Sequence, residues 1–493
     1  MKDELVTDVV VIGSGGAGLR AAIAAREEGL TTLLLSRCSK GLGTATVISK
    51  GAFNVSGFGT SAEEHVQNTL EVGYFLNDAS LVNVLAREAP LRIEEVQKRG
   101  ARFARFSAGF QALREKPDTG REVVNVLLSW AKDCGVTMVD WYTVARLLHK
   151  DGRVTGCIAI GRDGRLLTIN AKAVIACTGG ASALYKFHDN PTANLGDGYA
   201  LAFQTGAHLR DMEFIQFYPF ISYEAHTPRM LIHPFLTDRG LILNDKNENL
   251  LEKYGLTELK PLAVKARDKL SRAMCQEYQL GNTVYLDLRM LSEEEWKHPS
   301  AQDVREIFKR WFQTDKKPLC IAPVAHFTMG GLVIDDWART SVEGLFAAGE
   351  SACGLHGANR LGGNALTETV VFGYRAGVAA ARYCREQSDG SRSGAASVRF
   401  DPGDYSKGKH LPRQVLDALR ETLWNFCGPV RRKQGLLQAL ESIQKLQHEG
   451  VRCTDASQLP LAVAVSNSME TAEMIAQAAL DRKESIGAHY RED

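Results

Sequence analysis

The stretch DVVVIGSGGAGLRAAIAAREEG, residues 8–29, restricts the fold more than any other part of the chain. It predicts a buried strand, a glycine turn and a helix, in that order. The spacing Gly13-x-Gly15-x-x-Gly18 is the dinucleotide fingerprint: the first glycine makes the tight turn, the second lets a pyrophosphate approach, and the third lets the helix pack on the strand. A second strand, TTLLLS, follows directly. The sequence therefore predicts an α/β fold that binds a dinucleotide.

The identity of the dinucleotide depends on more distant segments. Ser36 and Arg37 stand at the end of the second strand, where an NAD enzyme usually has an acid for the ribose. The apolar strand AVIAC leads to Thr178 and Gly179, and the short strand in VEGLFAAGE leads to Glu350. A dinucleotide fold assembled from segments this far apart has other domains inserted between them. Flavoproteins are commonly built in this way, so the sequence favours FAD.

Composition excludes several classes of function. The chain has 493 residues, enough for two or three domains, and a net charge of +1, which gives no reason to expect nucleic acid or an anionic membrane surface as a partner. No run of about 18 uncharged apolar residues is present, and the N-terminus does not read as a secretory signal, so we expect a cytoplasmic protein without direct membrane insertion. Ten scattered cysteines form no C-x-x-C, so no metal or cluster site is predicted and electrons must leave through another molecule.

The opening glycine fingerprint and six further segments together resemble one known family, the flavoprotein subunits of succinate dehydrogenase and fumarate reductase with L-aspartate oxidase. The resemblance covers nearly the whole chain. The segments are NLGDGYALAFQTGA (194–207), IQFYP (215–219), RDKLSRAM (267–274), HFTMGGLVID (326–335), the run from GLFAAGE to LHGANRLGGNAL (344–366) and ALDRKESIGAHYRED (479–493).

The resemblance implies an α/β fold with a split Rossmann-like FAD-binding domain, an inserted α+β capping domain and a C-terminal helical domain. We expect the FAD-binding domain in residues 1–232 and 338–386, and the capping domain in residues 233–337. A Ser/Gly-rich linker would occupy residues 387–400, before the helical domain at 401–493. FAD contacts are expected at Gly13, Gly15, Gly16, Ala17, Gly18, Ser36, Arg37, Gly43, Thr44, Gly51, Thr178, Gly179, Asp197, Gly349, Glu350, Arg360, Gly363, Asn364 and Leu366.

The family's reaction is hydride transfer between flavin N5 and a carbon next to a carboxylate, with a proton delivered to the neighbouring carbon. By resemblance, Arg360 holds a substrate carboxylate, His326 hydrogen-bonds the same substrate, and Arg272 is the acid and base. Each has an alternative. Arg360 is also placed to contact the FAD phosphates, and His326 also fits a core histidine beside a glycine turn. Arg272 also fits a surface ion pair with Asp268.

Two departures from the family change the expectations. No histidine occurs between Met1 and His65, so the FAD should be bound without the covalent histidine link of the respiratory enzymes, which favours the reductive direction or oxidation with a strong acceptor. The family's QFHP is QFYP here, which puts Tyr218 in place of a substrate-binding histidine. The family's Thr-Glu pair aligns with His233 and Pro234, or after a shift with the segment at residues 237–238. Tyr218 and His233 are therefore the remaining substrate-binding candidates.

The leading hypothesis is an FAD enzyme that reduces a C=C bond activated by a carboxylate, or the reverse. Its electrons would be exchanged with another protein chain, with a quinone or with a carrier. The candidate partner is an iron–sulfur or membrane-anchor subunit, which would place the protein at a membrane. One alternative is an L-aspartate oxidase-like dehydrogenase. Another is a flavin-bearing electron-transfer subunit without a substrate site, which would not need Arg272, His326 or Arg360.

Overall fold

The computed structural model describes residues 3–57, 59–106, 109–112, 119–227, 229–262, 266–387 and 399–493. The strands are β1 (Asp3–Ile12), β2 (Thr32–Ser36), β3 (Ala52–Phe53), β4 (Phe103–Phe106), β5 (Gly109–Ala112), β6 (Thr137–Asp140), β7 (Tyr142–Lys150), β8 (Arg153–Gly161), β9 (Leu166–Ala176), β10 (Leu209–Arg210), β11 (Ile215–Ser222), β12 (Leu241–Asn244), β13 (Val284–Asp287), β14 (Leu319–Thr328), β15 (Gly331–Leu332) and β16 (Leu345–Ala347).

The helices are α1 (Gly16–Glu27), α2 (Ala45–Ile48), α3 (Ala62–Val72), α4 (Ala79–Lys98), α5 (Thr119–Asp133), α6 (Asp197–Phe203), α7 (Pro234–Thr237), α8 (Leu250–Lys253), α9 (Arg267–Gln279), α10 (Glu293–Trp296), α11 (Pro299–Phe308), α12 (Asn364–Glu386), α13 (Pro412–Cys427), α14 (Lys433–Glu449) and α15 (Leu459–Asp481). None of the helices in the described ranges is long and apolar enough to cross a membrane.

The main sheet joins the segments that the sequence places far apart. Its parallel part has the order β6-β2-β1-β9, with β16 parallel to β9, and β8 and β7 extend it as antiparallel strands. The inner strands are apolar on both faces, as Val9, Val10 and Val11 of β1 are fully buried. Because β9 lies between β1 and β16, the strands that carry the three glycine segments end at one edge of the sheet.

Helix α12 packs along α1 with little separation, because glycines of α12 lie against its backbone. A Cβ atom on Gly373 would lie 2.7 Å from the Ala17 carbonyl oxygen, and one on Gly377 would lie 2.3 Å from that of Ala21. The paired residues rise together along both helices, so the helices run in the same direction. Their N-termini, after Gly15 and Gly363, consequently lie at the same end of the sheet.

A second sheet, of order β11-β14-β13-β12, is antiparallel and has its own apolar core with helices α7 to α11. Its first strand begins at Ile215, earlier than the boundary expected at residue 233, so the boundary itself stays a prediction. Helices α13, α14 and α15 form a third apolar core. The serine- and glycine-rich residues 388–398 of the expected linker lie outside the described residues.

Candidate active site

One cavity of about 1210 Å³ runs from the glycine turn of the main sheet to the antiparallel sheet. Seventeen of the nineteen residues expected to contact FAD line it. They are Gly13, Gly15, Gly16, Ala17, Ser36, Arg37, Gly43, Thr44, Gly51, Thr178, Gly179, Asp197, Gly349, Glu350, Arg360, Gly363 and Leu366. The sequence motifs therefore converge on one site.

The residues at one end of this cavity fit a dinucleotide. Gly13 has φ +112°, and a Cβ there would lie 2.0 Å from the carbonyl oxygen of Cys177, so only glycine fits the turn. Helices α1 and α12 both begin after a glycine that supplies no side-chain cap, at Gly15 and Gly363. Their N-terminal N–H groups can therefore face phosphate oxygens. Arg37 forms an ion pair with Asp197 and donates to the Ala193 carbonyl at 2.9 Å.

The opposite end of the cavity has a buried arginine without a carboxylate partner. Arg360 is 7% exposed, forms no ion pair with any residue of the described ranges, and leaves its Nε atom without a hydrogen bond. Its Nη2 donates to Oε1 of Gln216 at 2.9 Å, and its guanidinium lies 4.5 Å from the ring centre of Phe327. Burial lowers the pKa of Arg360 to about 10, with a further decrease from nearby Arg267, and the group remains cationic at neutral pH.

Arg267 is a second arginine at this end, and its side chain is largely buried. Its Nη2 donates to Oδ1 of Asn359 at 2.6 Å and to the Arg360 carbonyl oxygen at 3.3 Å, while its Nε lies 3.7 Å from Asp268 and makes no hydrogen bond. Arg267 lines the cavity. Two neighbouring guanidinium groups, both largely removed from water, predict an anionic ligand between or beside them.

A histidine and a tyrosine complete this end of the cavity. The Nδ1 atom of His326, on β14, lies 2.7 Å from Oδ2 of Asp189, which fixes the orientation of the ring. Tyr218, on β11, is buried with its ring centre 5.7 Å from that of His326, and burial raises the pKa of its hydroxyl. Both residues line the cavity and carry hydrogen-bonding groups suited to a carboxylate.

Comparison with known proteins assigns the family. The "FAD binding domain" family matches residues 8–366, and the "Fumarate reductase flavoprotein C-term" family matches residues 416–493. The chain belongs to the fumarate reductase/succinate dehydrogenase flavoprotein family. It is thus an FAD-dependent oxidoreductase that acts on CH–CH bonds, as the sequence analysis predicted.

Individual relatives span almost the entire flavoprotein. A fumarate reductase (CoM/CoB) subunit of Methanothermobacter marburgensis is 32% identical over 100% of this chain and 95% of its own length. The L-aspartate oxidase of Saccharolobus solfataricus is 33% identical over 98% and 96%, respectively. The quinol fumarate reductase FrdA of Escherichia coli has a TM-score of 0.88 at 29% identity, covering 100% of this chain and 92% of that chain. The predicted fold class is confirmed.

The structure of this flavoprotein corrects the expectation for Arg272. Its guanidinium lies 4.5 Å from the ring centre of Tyr490, in the C-terminal tail, and the residue does not line the cavity. Asp268, its suggested ion-pair partner, instead lies next to Arg267 and accepts from Nδ2 of Asn359 at 3.1 Å. Arg267 stands in the same motif, RDKLSRAM, so the motif did contain the arginine that faces the cavity.

His233 is also not brought to the site. It is exposed, and its Nδ1 atom accepts from the Phe235 N–H at 3.1 Å, so it caps helix α7. The alternative candidates fail as well. Thr237 donates its hydroxyl to the Pro234 carbonyl, and Asp238 accepts from the Leu262 N–H at 2.8 Å. Leucine and proline side chains, at residues 231 and 234, line the cavity in this segment instead.

Two of the residues expected to contact FAD have structural roles. The side chain of Asn364 is fully buried and bonds to His65 Nε2 at 2.9 Å and Thr69 Oγ1 at 3.0 Å. A Cβ atom on Gly18 would lie 1.9 Å from the Gly13 carbonyl oxygen, so this glycine permits α1 to pack against the turn. Neither residue lines the cavity, and both shape the backbone that does.

Glu350 has the most perturbed carboxyl group among the lining residues that the structure describes. Its Oε1 accepts from the Thr328 N–H at 2.9 Å, and Tyr199 donates to its backbone carbonyl at 2.6 Å. Burial raises the pKa of Glu350 to about 7, against the opposing effects of the Thr328 bond and Arg360. Glu350 can therefore hold a proton at neutral pH inside the flavin site.

Proposed function

We propose that this flavoprotein adds hydrogen across a C=C bond conjugated to a carboxylate, with Arg267 as the acid. The observation that supports this proposal is a pair of largely buried guanidinium groups, those of Arg360 and Arg267. Both residues line the cavity, and the Nε atom of each has no hydrogen-bond partner among the described residues. A carboxylate held there gains stabilisation as negative charge builds on it during reduction. A bound FAD, once reduced by two electrons, would supply the hydride in each turnover.

The protein residues hold the substrate and deliver one proton. Arg360 and His326 grip the carboxylate, and the Asp189 carboxylate keeps the imidazole turned towards it. The substrate then gains a hydride at one alkene carbon and a proton, from Arg267, at the other. Asp268, 3.7 Å from Arg267 Nε and in contact with Asn359, is placed to return that proton. The sum is one C=C bond, two electrons and two protons converted to one CH–CH bond.

The electrons come from a second protein or a carrier. Several relatives are named as subunits, among them the Methanothermobacter protein, and one solved relative is a quinol fumarate reductase. We propose that the partner is an iron–sulfur or membrane-anchor subunit, which would bring the flavoprotein to a membrane. We also propose that the FAD is held without a covalent link, since the glycine-rich segment at residues 41–52, which lines the cavity, contains no histidine.

A second candidate is an L-aspartate oxidase-like reaction. The identity to the Saccharolobus enzyme, 33% over nearly the entire chain, favours it as much as the fumarate reductase relatives favour the first. It predicts hydrogen peroxide when L-aspartate and air are supplied to the yellow protein. A flavoprotein that reduces unsaturated acids but forms no peroxide from aspartate would exclude this candidate.

The main test uses the holoenzyme reduced by dithionite without air. Fumarate, crotonate, an acrylate and an enoyl thioester are added in turn, and reoxidation of the flavin is followed by its absorbance. We expect at least one carboxylate to reoxidise the flavin, and Arg360→Gln to abolish the reaction. Arg452→Gln, at an exposed arginine between α14 and α15, is the matched control and should react like the parent. Equal rates for both variants would refute the proposed carboxylate site.

A further inference from the structure

Arg360 is contacted by two side chains that lie opposite each other in the antiparallel sheet. Gln216, on β11, and Phe327, on β14, are paired residues of this sheet, so their side chains share one face. Gln216 accepts the one hydrogen bond that the guanidinium donates within the described ranges, from Nη2 at 2.9 Å. Phe327 supplies its ring, whose centre lies 4.5 Å from the guanidinium carbon. One hydrogen bond and one aromatic ring therefore hold the cation together.

The contact between the cation and the ring is largely removed from water. Arg360 and Phe327 are each 7% exposed, and both line the cavity. A guanidinium within about 6 Å of an aromatic ring centre is attracted by the ring electrons, more strongly when both groups are desolvated. Because Nε of Arg360 has no hydrogen-bond partner in the described part of the chain, hydrogen bonds alone do not fix the plane of the guanidinium. Loss of the ring would therefore let that plane tilt.

A buried histidine holds the ring of Phe327 from outside the cavity. The ring centre of His356 lies 5.2 Å from that of Phe327 at an interplanar angle of 80°, an edge-to-face contact. The Nε2 atom of His356 lies 3.0 Å from Oε2 of Glu368, on α12, and both residues are buried. Neither of them lines the cavity. A row of contacts thus joins helix α12 to the cation, through Glu368, His356 and Phe327.

The His356 ring depends on Glu368 for its orientation. Its other nitrogen, Nδ1, has no hydrogen-bond partner among the described residues, so the bond to Glu368 is the one that sets the angle of the ring. Glu368 also acts on the cation directly. Burial lowers the pKa of Arg360, and the carboxyl groups of Glu350 and Glu368 oppose that decrease. Glu368 is therefore close enough to influence Arg360, although it does not line the cavity.

We propose that Phe327 is a positioning residue for Arg360, and that the buried pair of His356 and Glu368 holds Phe327 in place. The ring keeps the guanidinium in one orientation at the cavity, so a substrate carboxylate meets a cation that is already fixed. This inference rests on the proposed function for the role of Arg360 as the group that binds the carboxylate. It adds the residues that determine how tightly that carboxylate is held.

The experiment compares the binding of two acids with that of an uncharged amide. Fumarate, crotonate and crotonamide are titrated in turn into the oxidised holoenzyme, and each affinity is measured from the change in the flavin spectrum. Because the flavin is oxidised, no hydride transfer accompanies binding. We expect the parent to bind at least one of the acids at least tenfold more tightly than crotonamide. In Phe327→Leu this ratio should fall at least fivefold, and in the second variant, Glu368→Gln, at least threefold.

Two further variants test whether the effect is specific to Arg360. Phe400→Leu removes a ring of the same burial, 7% exposed, from the apolar core of the C-terminal helices, and should keep the ratio of the parent. The double variant Phe327→Leu/Arg360→Gln should have the same ratio as Arg360→Gln alone. A positioning residue has no further effect once the group that it positions is lost, so the two substitutions are not additive.

The results separate this inference from the proposed function. No preference for either acid in the parent, or an unchanged ratio in Arg360→Gln, would show that Arg360 does not bind the carboxylate, and both proposals would fail. A lower ratio in Arg360→Gln with an unchanged ratio in Phe327→Leu would overturn the positioning role alone. An equal loss of acid and amide affinity in Phe327→Leu would also overturn it, because altered packing gives that result. An additional fall in the double variant would do the same.

Discussion

The sequence predicted Arg272 as the acid, whereas the structure places Arg267 at the cavity. Comparing variants of these two arginines is therefore the most direct test of the site. The two arginines stand five residues apart on helix α9, yet they have unlike surroundings. Arg267 lines the cavity and contacts Asn359 and the Arg360 carbonyl, whereas Arg272 stacks on Tyr490. Arg267→Gln and Arg272→Gln remove the same charge from one helix. Their difference therefore isolates the effect of position.

The two variants should differ in kcat by orders of magnitude. Removing a positioned acid costs about 10²- to 10⁴-fold in kcat, or roughly 3–5 kcal/mol of barrier. KM should rise less, because Arg360 and His326 still hold the carboxylate. For Arg272→Gln we expect kcat within about twofold of the parent, since that group does not contact the cavity. Its cost falls on stability instead, about 0.5–1 kcal/mol for one partly exposed cation–π contact.

The assay is viologen-linked reduction of the best acid from the reoxidation screen, at fixed flavin content. Single-turnover reoxidation separates the chemical step from the supply of electrons. Arg267→Lys is informative in addition, because it keeps the charge but loses the bond geometry, and should recover part of the rate. A loss in Arg272→Gln as large as that in Arg267→Gln would refute the assignment. Full activity in Arg267→Gln would do so as well.

Three further predictions concern other groups of the site. Asp189→Asn should weaken substrate-analogue binding roughly 10- to 150-fold, because the charge-assisted bond that orients His326 contributes about 1.5–3 kcal/mol. Titration of the flavin spectrum with the analogue measures this affinity. Burial raises the pKa of Glu350 from 4.5 to about 7, so the folded apoprotein keeps a proton that the unfolded chain has lost. The free energy of unfolding of the apoprotein should therefore fall by about 3 kcal/mol as the pH rises from 4.5 to about 7. Urea unfolding of Glu350→Gln over the same pH values should show no such fall. Acid precipitation should release yellow FAD into the supernatant, and a yellow pellet would disprove non-covalent binding.

The sequence predicted those parts of the fold that depend on local pattern. The order of strand, glycine turn and helix around Gly13 needs only neighbouring residues, and the structure shows it as expected. The joining of β1, β9 and β16 into one sheet followed from the apolar strands that end at glycine segments. The wide separation of these segments favoured FAD, and the family resemblance agreed with that assignment. These predictions succeed because they depend either on local pattern or on motifs that occur in several separate segments.

The sequence could not choose between two arginines of one motif. Five residues turn a helix through about 500°, so Arg267 and Arg272 point about 140° apart, and the docking of α9 on β11 decides which faces the cavity. Asn364 bonds with His65 and Thr69, about three hundred residues earlier, and no local pattern indicates such a contact. His233 was different, because a polar residue before proline is a known helix start, and that signal was present.

The contact between Arg272 and Tyr490 gives Arg272 a structural role outside the cavity. It stacks on Tyr490, and the tail that carries Tyr490 reaches the loop of Arg360: the Ala488 N–H donates to the Ala358 carbonyl at 2.9 Å. A Cβ atom on Gly487 would lie 2.3 Å from that oxygen, so the tail and the loop are in direct contact. A buried cation stabilises developing charge only if it is held in place before the reaction. The C-terminal tail therefore stabilises the loop that carries Arg360, although none of these tail residues lines the cavity.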